Sequence, residues 1–413
     1  MKAVILAAGE GTRLNPITIN RPKSLIKING KTILEYTLTT LKQSGISEII
    51  IVTNYREKDI QQYFGNGKKY NLKISYKKQK KMDGTATAVG VTESLIENNF
   101  ILIYGDLLFS PKVIKKIIAA FKTKKIDGVM AVTPIENPEG YGIVEIDKEN
   151  KVKKIIEKPK INTSSKLVNA GLYIFSKKIF QKIKQIDASI RGEYELADAI
   201  SLFIKEEKQI LAVRIDKDDW MDIGRPWDLL KANAWILKKF NHRIDGTVED
   251  GAHLIGPVTV AKTARIRSGA YIEGPVFIDK GSDIGPNCYI RPYTSIGKNV
   301  RIGNACEIKN TIIMDKTHVG HLSYVGDSII CERCNLGAGT IIANYRFDSK
   351  SIKMKIKNEI IDSKRRKLGA IIGDDVKTGI HTIILPGIKV GNNCWISVKY
   401  VVHRDLPDDT YAK

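Results

Sequence analysis

Two hydrophobic rhythms divide the chain. Over the first 235 or so residues, short apolar runs with strand character alternate with segments of helical period. The strand-like runs are Val4–Leu6, Glu48–Thr53, Phe100–Tyr104, Gly128–Thr133 and Leu172–Phe175. Between them lie Ile33–Ser44, Ala86–Ile96 and Pro111–Phe121, whose apolar positions repeat as on one face of a helix. Such alternation predicts an α/β, Rossmann-like domain with a largely parallel, doubly wound sheet. Ligands of such a sheet bind beyond the carboxyl ends of its strands. The helical stretch Pro226–Phe240 closes this domain, and Asn241–Gly246 reads as a linker.

From Val248 the period changes to six. Val248, Leu254, Val260, Ile266, Ile272, Ile278, Ile284, Ile290, Ile296, Ile302 and Ile308 form an unbroken aliphatic row. Neither a helix, with its period near 3.6, nor an alternating strand can produce that spacing. It predicts a parallel β-helix of hexapeptide repeats, in which each coil buries its aliphatic residues only by stacking on its neighbours. The row slips by one residue between Ile308 and Ile313, and again between Val325 and Ile330. A lysine-rich insertion from Arg346 to Lys367 interrupts it before it resumes at Ile384, Val390, Ile396 and Val402. The expected division is therefore 1–235, a linker at 236–247, and 248–413.

Composition narrows the choice of partners. With 67 Lys and Arg against 45 Asp and Glu, the formal charge is +22, which points to anionic ligands. The basic residues are scattered and form no nucleic-acid-binding motif, so phosphate-bearing small molecules are expected and nucleic acid is not. No apolar run approaches the roughly 20 residues that span a bilayer. Ala3–Ala8 is too short for a signal-peptide core, so the expected location is the cytoplasm. Cys331 and Cys334 make a lone C-x-x-C pair with no second pair or histidines at zinc spacing, and solenoid packing is the expected role of the five cysteines.

The chemistry begins after the first strand. Gly9 and Gly11 allow backbone N–H groups to turn toward an anion, with Leu6, Ala8 and Thr12 framing the loop. The loop is neither the dinucleotide fingerprint nor a Walker A loop, and on its own it is a tight turn. Arg13, and Lys23 within Arg21-Pro-Lys-Ser24, add two cations close to it in sequence. Asp106, at the end of the strand Phe100–Tyr104, read alone is an N-cap for the helix that follows.

Together these segments resemble the sugar-1-phosphate nucleotidyltransferases. The resemblance rests on Gly9–Pro16, Arg21–Leu25, Gln79 with Asp83-Gly-Thr85, Tyr104-Gly-Asp106, Tyr141–Glu145, Glu157-Lys-Pro159, Asn169-Ala-Gly171 and Trp220–Gly224. It implies that Leu6, Ala8, Gly9, Gly11, Thr12, Gln79, Gly84 and Thr85 bind the nucleotide and that Arg13 and Lys23 are catalytic cations on its phosphates. Gly142, Glu157, Lys158 and Asn169 would hold the sugar phosphate, while Asp106 and Asp222 would hold Mg²⁺.

The solenoid carries a second resemblance. Gly320–Asp327, Gly337–Thr340 and Ala343-Asn-Tyr345 are similar to the acetyltransferase half of the bifunctional N-acetylglucosamine-1-phosphate uridyltransferase and glucosamine-1-phosphate N-acetyltransferase family. That implies a left-handed β-helix using acetyl-CoA as co-substrate. His321 is then the general base, a role suited to a group that titrates near neutrality. Arg291, Lys309, Tyr324, Asn335 and Lys350 are implied on the sugar phosphate, with Lys353 as an alternative to Lys350. Asn344 and Tyr345 are implied to support acetyl transfer. The implied partners are UTP or dTTP, sugar 1-phosphates and acetyl-CoA, in a homotrimer or larger homo-oligomer. Two other readings are a glucose-1-phosphate thymidylyl- or uridylyltransferase whose β-helix only assembles subunits, and a non-catalytic regulatory subunit. His321 in its motif separates the first from the bifunctional reading; Arg13, Lys23, Asp106 and Asp222 argue against the second.

Overall fold

The structure, a computed structural model, describes every residue except 124, 125, 137, 160–164 and 207, and the side chain of Thr123. The chain forms two compact units. The first comprises Met1–Glu10, Pro22–Leu25 and Ile33–Asp222, and the second Gly11–Arg21, Ile26–Thr32 and Ile223–Lys413. This division departs from the boundaries expected at 235 and 248. Helix Pro226–Leu237 lies in the second unit, where the Asn233 amide donates to the Tyr293 carbonyl at 2.7 Å. The expected linker is already solenoid, because Arg243 and Ile244 pair with Thr259 and Val260. Long-range pairing decides these memberships, and a local pattern does not register it.

Within the first unit, β1 (Lys2–Leu6) lies between β2 (Glu48–Thr53) and β4 (Phe100–Tyr104), and β3 (Lys73–Lys78) flanks β2, all parallel. The other half of the sheet differs from the expectation. Strand β8 (Leu167–Phe175) runs antiparallel to β4, to β5 (Gly128–Pro134) and to β6 (Ile143–Ile146), with β7 (Val152–Ile156) beyond β6. Both faces are covered, which explains the near-continuous apolar strands. Ile5, Ile51 and Ile103 pack with Leu34, Leu38 and Leu41 of α1 (Ile33–Gln43) and with Ile114 of α2 (Pro111–Thr123). Val4, Val52, Phe100 and Leu102 pack on the opposite face with Phe180, Leu196 and Phe203. The helix expected over Ala86–Ile96 ends at Gly90. Glycine and β-branched residues are poor helix formers, and the Thr92 hydroxyl donates to the Val89 carbonyl at 2.7 Å.

The second unit contains the left-handed parallel β-helix. Three sheets stack its short strands, and partners in successive coils lie three hexads apart, as Val276 opposite Thr294 and Tyr271 opposite Tyr289. The two predicted slips are shortened coils: Ser295 faces Ile312, which faces Ile329. Ile329 next pairs with Ile371, and the extra length between them folds outward as a hairpin of Lys353–Ile356 and Glu359–Asp362. Ile266 through Ile308 of the aliphatic row are fully buried. The cysteines are free and buried, four of them in this core. Burial pushes the Cys288 and Cys334 thiols up to about 12, so they pack as small apolar groups.

Ile302→Ala should destabilise the solenoid by about 2–5 kcal/mol, the usual range for truncating a fully buried isoleucine. Chemical denaturation of this variant beside the unsubstituted protein checks this.

Candidate active sites

The first unit gathers charged groups at the carboxyl end of β4. After Tyr104 the backbone passes close beneath β1, with the Gly105 amide donating to the Leu6 carbonyl at 2.9 Å. Asp106 follows, and Lys23 Nζ lies 2.6 Å from its Oδ2. The strand Trp220–Asp222 runs antiparallel to Leu107–Phe109 with Asp222 opposite Leu107, so both carboxylates stand at one end of a two-stranded ribbon. Trp220 anchors the ribbon through Nε1 to the Ala170 carbonyl at 2.8 Å. Two hard oxygen donors fit Mg²⁺, which keeps waters and takes phosphate oxygens for its other ligands. No cluster of three or more His, Cys, Asp or Glu exists among the described residues that would make a closed metal cage.

Beside this pair sits a polar recess. Gly142 lies under the Glu157 carboxylate, where a Cβ would stand 2.8 Å from Oε2. Its carbonyl accepts the Asn169 amide at 2.8 Å, and Asn169 Nδ2 donates to Tyr173 Oη at 2.5 Å. Burial, reinforced by Glu157, pushes the Tyr104 phenol well up, and burial beside Tyr104 does the same for Tyr173. Both phenols therefore stay neutral. Lys158 is exposed, with Nζ 3.5 Å from Glu157. Gln79 is buried, and its Nε2 donates to the Gly84 carbonyl and to Thr87, both at 2.9 Å. Gly84 has φ +135°, and a Cβ there would overlap the Tyr194 backbone, so only glycine fits. Thr85 Oγ1 accepts the Leu196 amide at 3.0 Å. The loop after β1 leaves open space over Gly9, while Ala8 is buried.

Gly11, Thr12 and Arg13 belong to the second unit, where Thr12–Leu14 is a single 3₁₀ turn. Thr18 Oγ1 donates to the Gly11 carbonyl at 2.9 Å and to Asn15 at 2.8 Å, tying the turn shut. Arg13 is exposed on it.

On the solenoid, His321 is exposed at a corner, its ring over Gly303 and its carbonyl taking the Gly339 amide at 2.8 Å. Three residues on, Tyr324 stands in register with Glu307. Its hydroxyl accepts Asn344 Nδ2 at 3.0 Å, and the same amide reaches Asp327 at 2.6 Å. Asp327 is the hub here, with its side chain only 4% exposed. Asn310 donates to it at 2.6 Å, and Lys309 and Arg365 lie 3.4 and 3.6 Å away. Arg291 Nη1 pairs with Glu307 at 2.8 Å, while its Nε is buried and unpaired. Asn335 lies on a different sheet from Tyr324, in register with His318 and Lys377. Tyr345 bonds Ser349 and Arg366, which hold its phenol below the ordinary value. Lys350 and Lys353 are exposed on the insertion.

Asp327 and Arg365 carry this cluster yet had no assigned role from sequence. Asp327 was visible as the last residue of the Gly320–Asp327 motif. Arg365 was hidden among the basic residues of the insertion, where nothing local distinguishes it from Arg366 or Lys367.

A nucleotidyl transferase family model matches residues 2–239, and a GMPPB C-terminal domain model matches 272–401. The chain is 42% identical, over its full length and 97% of the relative, to the bifunctional protein GlmU of Methanocaldococcus jannaschii. It is 43% identical over 98% of both chains to a bifunctional sugar-1-phosphate nucleotidylyltransferase/acetyltransferase of Sulfurisphaera tokodaii. A solved Bacillus anthracis structure, described as a glucose-1-phosphate thymidylyltransferase with sucrose, superposes with a TM-score of 0.52. It is 29% identical and aligns over 59% of this chain and 98% of its own.

Asp327→Ala leaves two partly buried cations without their counter-charge. We expect a loss of about 2–3 kcal/mol, discounted for the exposure of Lys309 and Arg365. Thermal unfolding of the full chain measures it, and Asp327→Asn should cost less because its amide oxygen still accepts from Asn310.

Proposed function

The chain belongs to the nucleotidyl transferase family, in the company of bifunctional sugar-1-phosphate nucleotidylyltransferase/acetyltransferases, and from that premise we propose how its residues divide two reactions. The solenoid acetylates glucosamine 1-phosphate with acetyl-CoA. The first unit then couples N-acetylglucosamine 1-phosphate to UTP, giving UDP-N-acetylglucosamine and pyrophosphate. The observation that carries the reading is the coexistence of two built polar sites, Lys23–Asp106 with Asp222 in the first unit and the Asp327 cluster in the solenoid segment that also carries His321.

In acetyl transfer the sugar amine attacks the thioester carbonyl, and the coenzyme A thiolate leaves. His321 takes the proton from the attacking nitrogen. Tyr324 and Asn344 orient the reacting groups, a role favoured by their mutual hydrogen bond. Arg291 and Lys309 supply positive charge for the sugar phosphate. Tyr345 flanks this site, and Asn335, on its own sheet, suits a site completed by a second subunit.

In nucleotidyl transfer an oxygen of the sugar 1-phosphate attacks the α-phosphorus of UTP or dTTP, and pyrophosphate departs. Such a step depends on in-line positioning and charge stabilisation. Arg13 offsets charge on the outer phosphates and Lys23 on the α-phosphate; Lys158 serves the sugar phosphate. Gln79, Gly84 and Thr85 line the base, and Gly142, Glu157 and Asn169 the sugar. Mg²⁺, when bound by Asp106 and Asp222, supplies Lewis-acid charge neutralisation. Lys23 pairs with Asp106 Oδ2 and places a cation beside that carboxylate.

The aliphatic column Ile341, Ile383 and Val401, in register and open to solvent, suits a homotrimeric interface. No helix among the described residues is long and apolar enough to cross a membrane, which agrees with the cytoplasmic location we propose.

The test supplies glucosamine 1-phosphate, acetyl-CoA, UTP and Mg²⁺ and follows UDP-N-acetylglucosamine. His321→Ala should lose acetylation by about a hundredfold or more and keep nucleotidyl transfer, and Asp106→Ala the reverse. Parallel loss of both activities in either folded variant would sink the two-site reading. Chelation with EDTA should stop nucleotidyl transfer while acetylation continues.

A further inference from the structure

Arg21 sits inside the signature segment that supplies Lys23, yet its guanidinium is spent elsewhere. Its Nη2 makes a forked contact with Asp374 of the solenoid, 2.7 Å to Oδ1 and 2.9 Å to Oδ2. Glu332 adds a carboxylate at 3.7 Å. The Asp374 side chain is 1% exposed and that of Arg21 13%. Asn20 Nδ2 joins the same carboxylate at 3.2 Å, and Asn392 Nδ2 reaches the Pro16 carbonyl at 3.4 Å. Asp374 is itself held by the solenoid. Its amide donates to Asn392 Oδ1 at 2.8 Å, and its Oδ1 accepts the Glu332 amide at 2.9 Å.

The segment so anchored is Gly11–Arg21, the one that carries Arg13. Leu14, Ile17 and Thr18 are buried on it, and the Ile17 amide closes on Leu14 at 3.0 Å. An exposed arginine on a turn acts as a fixed cation only if the turn is fixed, because immobilising it at the moment of reaction costs entropy. Here the fixing is done by Asp374, more than 350 residues away in sequence. We infer that Asp374 is a positioning residue for nucleotidyl transfer, holding the Arg13 turn through Arg21. This inference rests on the proposed role of Arg13.

The consequence separates the two activities. Asp374 and Arg21 touch no residue assigned to acetyl transfer, so acetylation reports independently on an intact solenoid. Arg21→Ala in the full chain should raise KM for the nucleoside triphosphate by about tenfold or more, with a smaller fall in kcat. Acetylation should stay within about twofold, and amide exchange at residues 11–21 should speed up. Arg21→Lys, which keeps one charged contact of the fork, should recover part of the affinity. Asp374→Ala should reproduce the KM defect, and adding Arg21→Ala to it should cost little more, as for residues acting through one contact. Unchanged KM in folded Arg21→Ala, or a parallel fall in both activities, overturns the inference while the two-site reading stands. No nucleotidyl transfer by the unsubstituted protein would refute that reading itself, and the role of Asp374 with it.

Discussion

No coil of the solenoid can bury its own aliphatic residues. Ile284, Ile290 and Ile296 form one coil and disappear from solvent only because Ile266, Ile272 and Ile278 lie beneath and Ile302, Ile308 and Ile313 above. Every coil must therefore stay in register with its neighbours, and any change in coil length has to be absorbed locally. The two shortened coils and the outward hairpin fall in one stretch, between Ile308 and Ile371. That stretch also holds His321, Tyr324, Asp327 and Asn344. Regularity is given up in the stretch that carries the residues proposed for acetyl transfer, in keeping with the tendency of local exceptions to mark function.

Two buried carboxylates organise what the repeat does not. Asp327 collects Lys309, Asn310, Asn344 and Arg365 from coils and insertion, and Asp374 collects Asn20, Arg21 and the Glu332 amide. A buried anion is tolerated only when it is paired and hydrogen-bonded, so each fixes the side chains around it as a condition of its own burial. In the first unit Asp106 is different. It is half-buried and pairs with Lys23 at the end of a strand, not within a closed cluster of donors.

The bifunctional assignment gives these arrangements separate tasks. Transfer of a nucleotidyl group needs cations held in fixed positions around phosphates, whereas transfer of an acetyl group needs a base that gains and loses a proton. Lys23, with Arg13 on its anchored turn, suits the first. An exposed imidazole at a solenoid corner suits the second.

Sequence alone determined the class of each unit, because burial on both faces of a strand and at every sixth residue of a coil is written into local spacing. The strands Glu48–Thr53 and Phe100–Tyr104 match their apolar runs residue for residue, and the slips at Ile313 and Ile330 were legible for the same reason. Only the tertiary structure decided what depends on contacts between distant residues. The antiparallel half of the sheet, the membership of Pro226–Leu237, the hub at Asp327 and the approach of Arg365 to it are all of this kind. So is Arg21, which reads as part of a phosphate signature and is bound instead to Asp374. A charge on a chain has no partner until folding brings one within a few ångströms, and no local pattern names which one it will be.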